Sequence, residues 1–187
     1  MASNHKRIVG LSGSLRAGSS NAALVKAALA LVRAGTETIF SQAIASLPYF
    51  NPDLDNEGDV PPPPVAELRA QLRSAHGLII SAPEYAHGLP GSFKNALDWV
   101  VSSGELAHKP VLVLNASAGG QHAQASLVET LTTIEALVIP ESLLTQFLRK
   151  RLPPDGSLGD AETEVLRRSV VALMAAVDAA VDAAVGA

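Results

Sequence analysis

The sequence predicts a three-layer α/β fold, in which helices cover both faces of one parallel sheet. Short apolar segments and amphipathic helical segments alternate about five times along the chain, as in folds built from βαβ units. The apolar segments are continuous rather than alternating, which is typical of strands buried on both faces. No internal repeat or linker divides the 187 residues, so we expect a single domain over residues 1–187.

The individual elements follow from apolar runs, helical stripes and turn residues. Strands are predicted at 8–12, 36–40, 77–81, 110–115 and 138–139, with 143–144 as a further candidate for the fifth. Helices are predicted at 21–35, 65–75, 91–101 and 123–137, and a last one is capped by Asp160. Prolines between residues 44 and 64 predict a long loop, and residues 152–159 predict a turn.

Composition excludes several classes of protein. The chain has no cysteine, which rules out disulfides, thiolate metal sites and cysteine nucleophiles. Its net charge is −4 and its basic runs are short, so nucleic acid is not an expected partner. The first seven residues do not resemble a signal peptide, and no apolar run approaches the roughly 18 residues of a membrane span. We therefore expect a soluble, cytoplasmic protein that does not contact a membrane.

The loop after the first predicted strand has the composition of an anion site. Ligands of parallel sheets bind beyond the carboxyl ends of the strands, which directs attention to the loops starting at Gly13, Ala82 and Ala116. In the first loop, hydroxyls, a guanidinium and an amide precede a helix N-terminus. Ser19 stands where a triphosphate-binding loop needs lysine, and no G-x-G-x-x-G is present. The pattern favours a single phosphate group, with an ordinary capped turn as the alternative.

The other two loops leave their interpretation open. Two prolines brace residues 83–92, and backbone amides there could reach the polar edge of a planar ring. Tyr85 could cover that ring or pack in the core, and His87 could be reactive or structural. Glu84 could act as an acid, cap the loop or pair with a lysine. The third loop, 117–120, is small and flexible and by itself indicates little.

Three motifs together closely resemble the NADPH-dependent FMN reductase family, which includes quinone, chromate and azo-dye reductases. They are Gly13-Ser14-Leu15-Arg16-x-x-Ser19-x-Asn21, Pro83-Glu84-Tyr85, and Pro90-Gly91-x-x-Lys94-Asn95-Ala96-Leu97-Asp98-Trp99. The resemblance extends roughly over residues 8–144. It implies a flavodoxin-like, five-stranded sheet of order 2-1-3-4-5 and tightly bound FMN. It also implies NADPH or NADH as the transient hydride donor. A homodimer or homotetramer is expected through helices 91–101 and 123–137, and segment 94–99 is assigned to helix packing and subunit contact.

The resemblance also implies the residues that bind the cofactor. The FMN phosphate would be held by five positions of the first loop: Ser14, Arg16, Ser19, Asn21 and the backbone of Ser20. The isoalloxazine ring would be lined by Pro83, Glu84, Tyr85 and the backbone of Ala86 and His87. Ser117 and Gly120 would close the other side of the ring. Ala86 departs from the family pattern, because many relatives carry asparagine there, and a side-chain hydrogen bond near the ring would be missing.

The expected function is hydride transfer from NAD(P)H through FMN to a small acceptor: a quinone, a flavin, an azo compound or a metal oxyanion. Flavin performs this chemistry itself, so no side chain is nominated as catalytic and no metal site is expected. A flavodoxin-like electron carrier without NAD(P)H turnover is the alternative, although carriers usually flank the ring with aromatic residues in both ring loops. A hydrolase using Ser12 or Ser14 is disfavoured because no G-x-S-x-G elbow is present. The physiological acceptor and the choice between NADPH and NADH stay open.

Overall fold

One parallel sheet organises the protein. The computed structural model describes residues 6–56, 58–116, 119–140 and 157–185. The described strands form a five-stranded sheet in the order β2-β1-β3-β4-β5, and every neighbouring pair is parallel. The predicted fold class and strand order are confirmed. The strands are β1 (Arg7–Ser12), β2 (Glu37–Ser41), β3 (Gly77–Ser81), β4 (Pro110–Leu114) and β5 (Leu137–Val138).

Within the described residues, five helices connect or follow these strands. They are α1 (Ser20–Ala30), α2 (Pro63–Ser74), α3 (Gly91–Asp98), α4 (Gln121–Thr133) and α5 (Asp160–Val185). Helix α2 opens with prolines, whose fixed φ and missing N–H suit the first helical turn. Between β2 and α2 the chain is irregular except for two short 3-10 turns, at Ala43–Ser46 and Pro52–Leu54. None of the helices in the described residues has the length and apolar character that crossing a membrane requires.

The hydrophobic core consists of two clusters, one on each face of the sheet. On one face, α2, α3 and α4 contribute Leu68, Phe93 and Leu127, among others. On the other face, α1 and α5 pack through side chains such as Leu24 and Leu173. Every residue of β3 and β4 is buried, which explains why these strands are apolar along their whole length.

Gly10 allows α1 to lie directly against β1. A β-carbon at this position would come within 2.5 Å of the Val25 Cγ1 atom and 2.8 Å of the Leu29 Cδ1 atom. A β-carbon essentially never lies this close to an atom it is not bonded to, so a larger residue would force the Val25 and Leu29 side chains, or the helix itself, to shift. Helix α1 begins directly after the loop that follows β1, so its close packing on β1 also positions the candidate phosphate site.

The predicted end of the fourth helix is wrong. Helix α4 ends at Thr133, four residues before the predicted Leu137, and Leu137 begins β5 instead. The chain leaves the helix through a Schellman motif: Glu135 adopts a φ of +62°, the Ala136 N–H donates to the Leu131 carbonyl at 2.9 Å, and the Glu135 N–H to Thr132 at 3.0 Å. Glycine usually occupies this left-handed position and marks the end of a helix in the sequence. Glu135 gives no such indication.

Several other predicted boundaries shift, and the largest shift is at the end of α1, which lies at Ala30 rather than at the predicted Gly35. Helix α3 ends at Asp98 rather than at residue 101, and Asp160 is the first residue of α5 rather than its cap. The fifth strand covers Leu137–Val138 rather than 138–139. The candidate strand at 143–144 and most of the predicted turn at 152–159 lie outside the described residues.

Candidate active site

The loops after β1, β3 and β4 lie at one edge of the sheet. Because the strand order changes direction between β1 and β3, a crevice forms beyond their carboxyl ends, where ligands of doubly wound folds bind. The backbone joins the two loops there, since the Gly13 N–H donates to the Ser81 carbonyl at 2.9 Å. The structure therefore brings the first and second predicted loops together.

The first loop is shaped by its own hydroxyl groups. The Ser14 N–H donates to Ser12 Oγ at 3.3 Å, and the Arg16 N–H donates to Ser14 Oγ at 3.4 Å. Ser19 caps α1, with its hydroxyl accepting from the Ala22 N–H at 3.2 Å. Arg16 is exposed, and within the described residues it forms no ion pair. A free guanidinium thus stands beside a helix N-terminus, which is a favourable environment for an anion.

Asn21 is held by a residue that the sequence did not identify. The fully buried Ser81, at the end of β3, donates from its hydroxyl to Asn21 Oδ1 at 2.8 Å. This bond engages the amide oxygen, so the amide nitrogen of Asn21 is the group with donors to offer a ligand. A polar residue closing an apolar strand was the only sequence signal for Ser81.

The second loop contains a tight hairpin. The N–H groups of Tyr85 and Gly88 each donate to the other residue's carbonyl at 3.0 Å. The two residues between them both have positive φ, +49° at Ala86 and +61° at His87, which defines a type I′ turn. Asparagine is favoured in this conformation and alanine is not. Having alanine instead of the asparagine of many relatives at position 86 therefore makes the turn less favourable, besides removing a polar side chain.

Replacing Ala86 by asparagine is expected to stabilise the protein by about 1 kcal/mol. The left-handed conformation costs most L-residues about 1–2 kcal/mol, and asparagine adopts it at a lower cost than alanine. Urea unfolding measures the change. Ala70→Asn, on the exposed side of α2, is the control and should be neutral or slightly destabilising, since asparagine is a poorer helix former. A loss of stability in Ala86→Asn would contradict the strain assigned to this turn.

Glu84 joins the second loop to α4. Its Oε2 atom accepts from the Ala123 N–H at 2.9 Å, in the first turn of that helix. This hydrogen bond holds the pKa of the Glu84 carboxyl below its ordinary value, with further support from the His122 backbone and from the charges of His122 and His87. The sequence left three roles open for Glu84: an acid, a cap of its loop, or the partner of a lysine. The structure supports a capping role, at the first turn of α4 rather than within the loop. An ionised carboxylate bonded to a helix terminus is poorly suited to donate a proton.

The imidazole rings of His87 and His122 stack at the same junction. Their centroids are 4.3 Å apart and their planes differ by 23°. Both side chains are exposed, so the pair lies at the surface between the second loop and α4. His122 was not identified from the sequence, because its proximity to His87 depends on how α4 meets the hairpin.

Tyr85 is a surface residue rather than part of the core. Its side chain is 56% exposed, and Leu15 in the first loop is 57% exposed. Gly120 caps α4 with a φ of +125°, a conformation that side chains rarely adopt. Ser117 lies outside the described residues, so its assignment stays a prediction.

The segment 94–99 fixes the long loop after β2. Asn95 accepts from the Phe50 N–H at 2.7 Å and donates to the Pro48 carbonyl at 2.9 Å. The indole N–H of Trp99 donates to the same carbonyl at 2.9 Å, and its ring meets Phe50 edge-on at 5.1 Å. These contacts give Asn95 and Trp99 a packing role within the chain.

A buried ion pair fixes the next part of this loop. The side chains of Arg69 and Asp55 are only 10% and 8% exposed and pair at 2.7 Å. Arg69 also donates to the Trp99 carbonyl at 2.9 Å, and Ser102 donates to the Asp55 carboxylate. Burial raises the pKa of Asp55, but hydrogen bonds from Ser102 and Arg69 outweigh it and leave that pKa below its ordinary value. The loop is therefore anchored to both α2 and the segment after α3.

Comparison with known proteins identifies the family. A profile of the family described as NADPH-dependent FMN reductase matches residues 6–148. The chain belongs to this family. It is 33% identical over 174 residues to an NAD(P)H-dependent FMN reductase of Pseudomonas aeruginosa, covering 89% of this chain and 92% of that one. It is 34% identical over 164 residues to a quinone reductase of Escherichia coli K12, covering 84% and 87%.

A solved structure supports the same placement. The flavoenzyme NAD(P)H:(acceptor) oxidoreductase of Paracoccus denitrificans superposes with a TM-score of 0.77 at 28% identity, covering 92% of this chain and 97% of that one. As a member of the FMN reductase family, the protein is an oxidoreductase with FMN as cofactor and NAD(P)H as hydride donor.

The residues present fit FMN. The first loop offers what a phosphate monoester needs: the exposed Arg16 guanidinium, a helix N-terminus and hydroxyl groups. The second loop offers backbone groups on a rigid hairpin beside an exposed aromatic side chain. Among the residues that the structure describes, no group of three or more histidine and acidic side chains could hold a metal ion.

Proposed function

We propose that the protein oxidises NAD(P)H and uses bound FMN to reduce small acceptors, with quinones and azo compounds as the favoured classes. The observation that carries the proposal is the meeting of an anion loop and a rigid type I′ hairpin at the β1/β3 crevice. Relatives named as quinone reductase and NADPH azoreductase support these acceptor classes. Bound FMN would supply the hydride chemistry, accepting two electrons from one substrate and giving them to the next.

Each loop has a defined part in holding the cofactor. We assign the phosphate to the first loop, where Arg16 supplies charge and Asn21 a side-chain N–H, together with Ser14, Ser19 and Ser20. Ser19 already caps α1, so its hydroxyl would be shared between the helix and the ligand. We assign the ring to Pro83, Glu84, Tyr85, Ala86 and His87 on one side, and to Ser117 and Gly120 on the other.

The chain's own residues position and shield rather than transfer protons. Glu84 holds the hairpin against α4, and its lowered pKa keeps it ionised. The described part of the third loop has no aromatic side chain, which leaves one face of the ring site open to substrates. Both substrates would use that face in turn.

Steady-state kinetics test this function. With NAD(P)H and a quinone varied together, double-reciprocal plots should give parallel lines, because one substrate must leave the shared face before the other enters. His87→Ala should reduce the rate less than about tenfold, below the usual yield of general acid–base catalysis. Intersecting lines would contradict a shared face, and no NAD(P)H oxidation by FMN-loaded protein would indicate an electron carrier. A hundredfold loss in His87→Ala with FMN still bound would reveal a missing acid or base.

We also propose that the chain forms a homodimer or homotetramer through α3 and α4. Two exposed apolar side chains near these helices support the proposal: Val101 lies three residues beyond α3, and Leu137 begins β5, which follows α4. Light scattering at micromolar concentration should give at least twice the mass of one chain, and a monomer would contradict the proposal. We propose further that residues 1–187 form one domain and that the protein acts in the cytoplasm.

A further inference from the structure

A cavity lies beside the loop after β1, on the side away from the loops after β3 and β4. It has a volume of about 290 Å³ and lies between the loop after β1, the first turns of α1 and residues 40–45 at the end of β2. None of its lining residues comes from the hairpin loop or from the loop after β4. The cavity is thus next to the candidate FMN site, on the β2 side of the sheet.

The lining of this cavity combines positive charge with apolar surface. Arg16 and Lys26 line it, and no aspartate or glutamate does. Within the described part of the chain, neither cation forms an ion pair. The Lys26 ammonium lies 4.7 Å from the centroid of the Phe40 ring, which forms part of the same wall together with Ile44. This composition suits a ligand that carries both an anionic group and a flat apolar ring.

We propose that this cavity binds the adenosine 2′-phosphate end of NADPH and gives the protein a preference for NADPH over NADH. The proposal rests on the proposed function, because it assumes that a nicotinamide dinucleotide is the donor. Lys26 would pair with the 2′-phosphate, since Arg16 is already assigned to the FMN phosphate, and the aromatic and aliphatic wall would contact the adenine. NADH has a hydroxyl in place of this phosphate, so it would gain the apolar contacts and lose the charge pairing.

The cavity adjoins the candidate FMN site through shared residues. Ser14 and Arg16 line the cavity and also belong to the loop assigned to the FMN phosphate. A dinucleotide bound here would therefore cross the exposed tip of that loop, at Leu15 to Gly18, on its way to the ring site. Replacing Arg16 would affect the binding of both ligands and could not distinguish them. Replacing Lys26 can distinguish them, because Lys26 is not among the residues assigned to FMN.

Calorimetry on the FMN-loaded protein tests the site directly. Adenosine 2′,5′-bisphosphate should bind at least tenfold more tightly than 5′-AMP, and Lys26→Gln should remove most of that difference without changing the FMN content. The KM for NADPH should rise about tenfold more than the KM for NADH in the same variant. Arg168→Gln is the control, since Arg168 is an exposed cation on α5 outside the cavity and, like Lys26, forms no ion pair within the described residues. It should leave both affinities unchanged.

Distinct outcomes would overturn this site and the proposed function. Equal binding of the two nucleotides by the unmodified protein, or equal losses in Lys26→Gln and Arg168→Gln, would overturn the site. Inorganic phosphate competing as well as the bisphosphate would show an anion site without nucleoside recognition, which also overturns it. Selective bisphosphate binding by a protein that oxidises neither NADPH nor NADH would support the site and contradict the proposed function.

Discussion

Replacing Arg69 by methionine is expected to lower the free energy of unfolding by about 3–5 kcal/mol, because it removes one partner of a buried ion pair. Methionine keeps much of the aliphatic stem, so the loss comes from the polar groups left behind. These are the Asp55 carboxylate, of which only 8% is exposed, and the Trp99 carbonyl, which accepts from Arg69 at 2.9 Å. Urea unfolding of the purified protein measures the effect.

Arg33→Met provides the control for this prediction. Arg33 pairs with Asp178 at 2.8 Å, but its side chain is 49% exposed, so the loss should be no more than about 1 kcal/mol. The dependence on pH gives a second readout. The folded state holds the pKa of Asp55 below its ordinary value of 3.8, so this carboxylate contributes stability above about pH 4 that is lost as the solution becomes more acidic. Arg69→Met should weaken that dependence. Equal losses in Arg69→Met and Arg33→Met would contradict a buried network.

Replacing Arg16 by alanine is expected to weaken FMN binding by tenfold or more without unfolding the protein. A charge-assisted hydrogen bond to a phosphate contributes about 1.5–3 kcal/mol, and Arg16 has no carboxylate partner in the described residues to compete for it. Because the side chain is exposed, its removal leaves no cavity in the core. Quenching of flavin fluorescence on titration into apoprotein measures the affinity.

The same titration on Arg33→Ala controls for the loss of one positive charge. Arg33 follows α1 at the opposite end from the phosphate loop, so its removal should leave FMN affinity unchanged. Normal folding with unchanged FMN affinity in Arg16→Ala would refute the phosphate assignment. Similar losses in both variants would show a general effect of net charge instead of a specific contact.

The sheet could be predicted because its strands are marked by composition. β1, β3 and β4 are buried on both faces, so their apolar runs stand out from the amphipathic helices around them. The end of α4 could not be predicted, because Glu135 occupies a left-handed position that glycine normally marks. The short β5 follows directly from that turn, and the misplaced helix end displaced it by one residue.

The site could be predicted in its loops but only partly in its contacts. The residue types around Arg16 indicated an anion site from local sequence, since the loop and the helix that follows it are contiguous. The hydrogen bond from Ser81 to Asn21 and the bond from Ala123 to Glu84 join residues 60 and 39 positions apart. The packing of α1 and α4 on the sheet determines which residues meet in these two hydrogen bonds, and local sequence patterns do not indicate that packing. The stacking of His87 on His122 has the same origin.

Anaerobic titration of the purified protein with NADPH tests whether the chain is an FMN-dependent oxidoreductase. The protein should carry noncovalent flavin that is released on denaturation and identified as FMN, one for each chain. NADPH should bleach the flavin absorbance without oxygen, and a quinone added afterwards should restore it. Bound FMN that stays oxidised in excess NADPH and NADH, or a folded protein that binds no FMN, would contradict the oxidation of NAD(P)H through bound FMN.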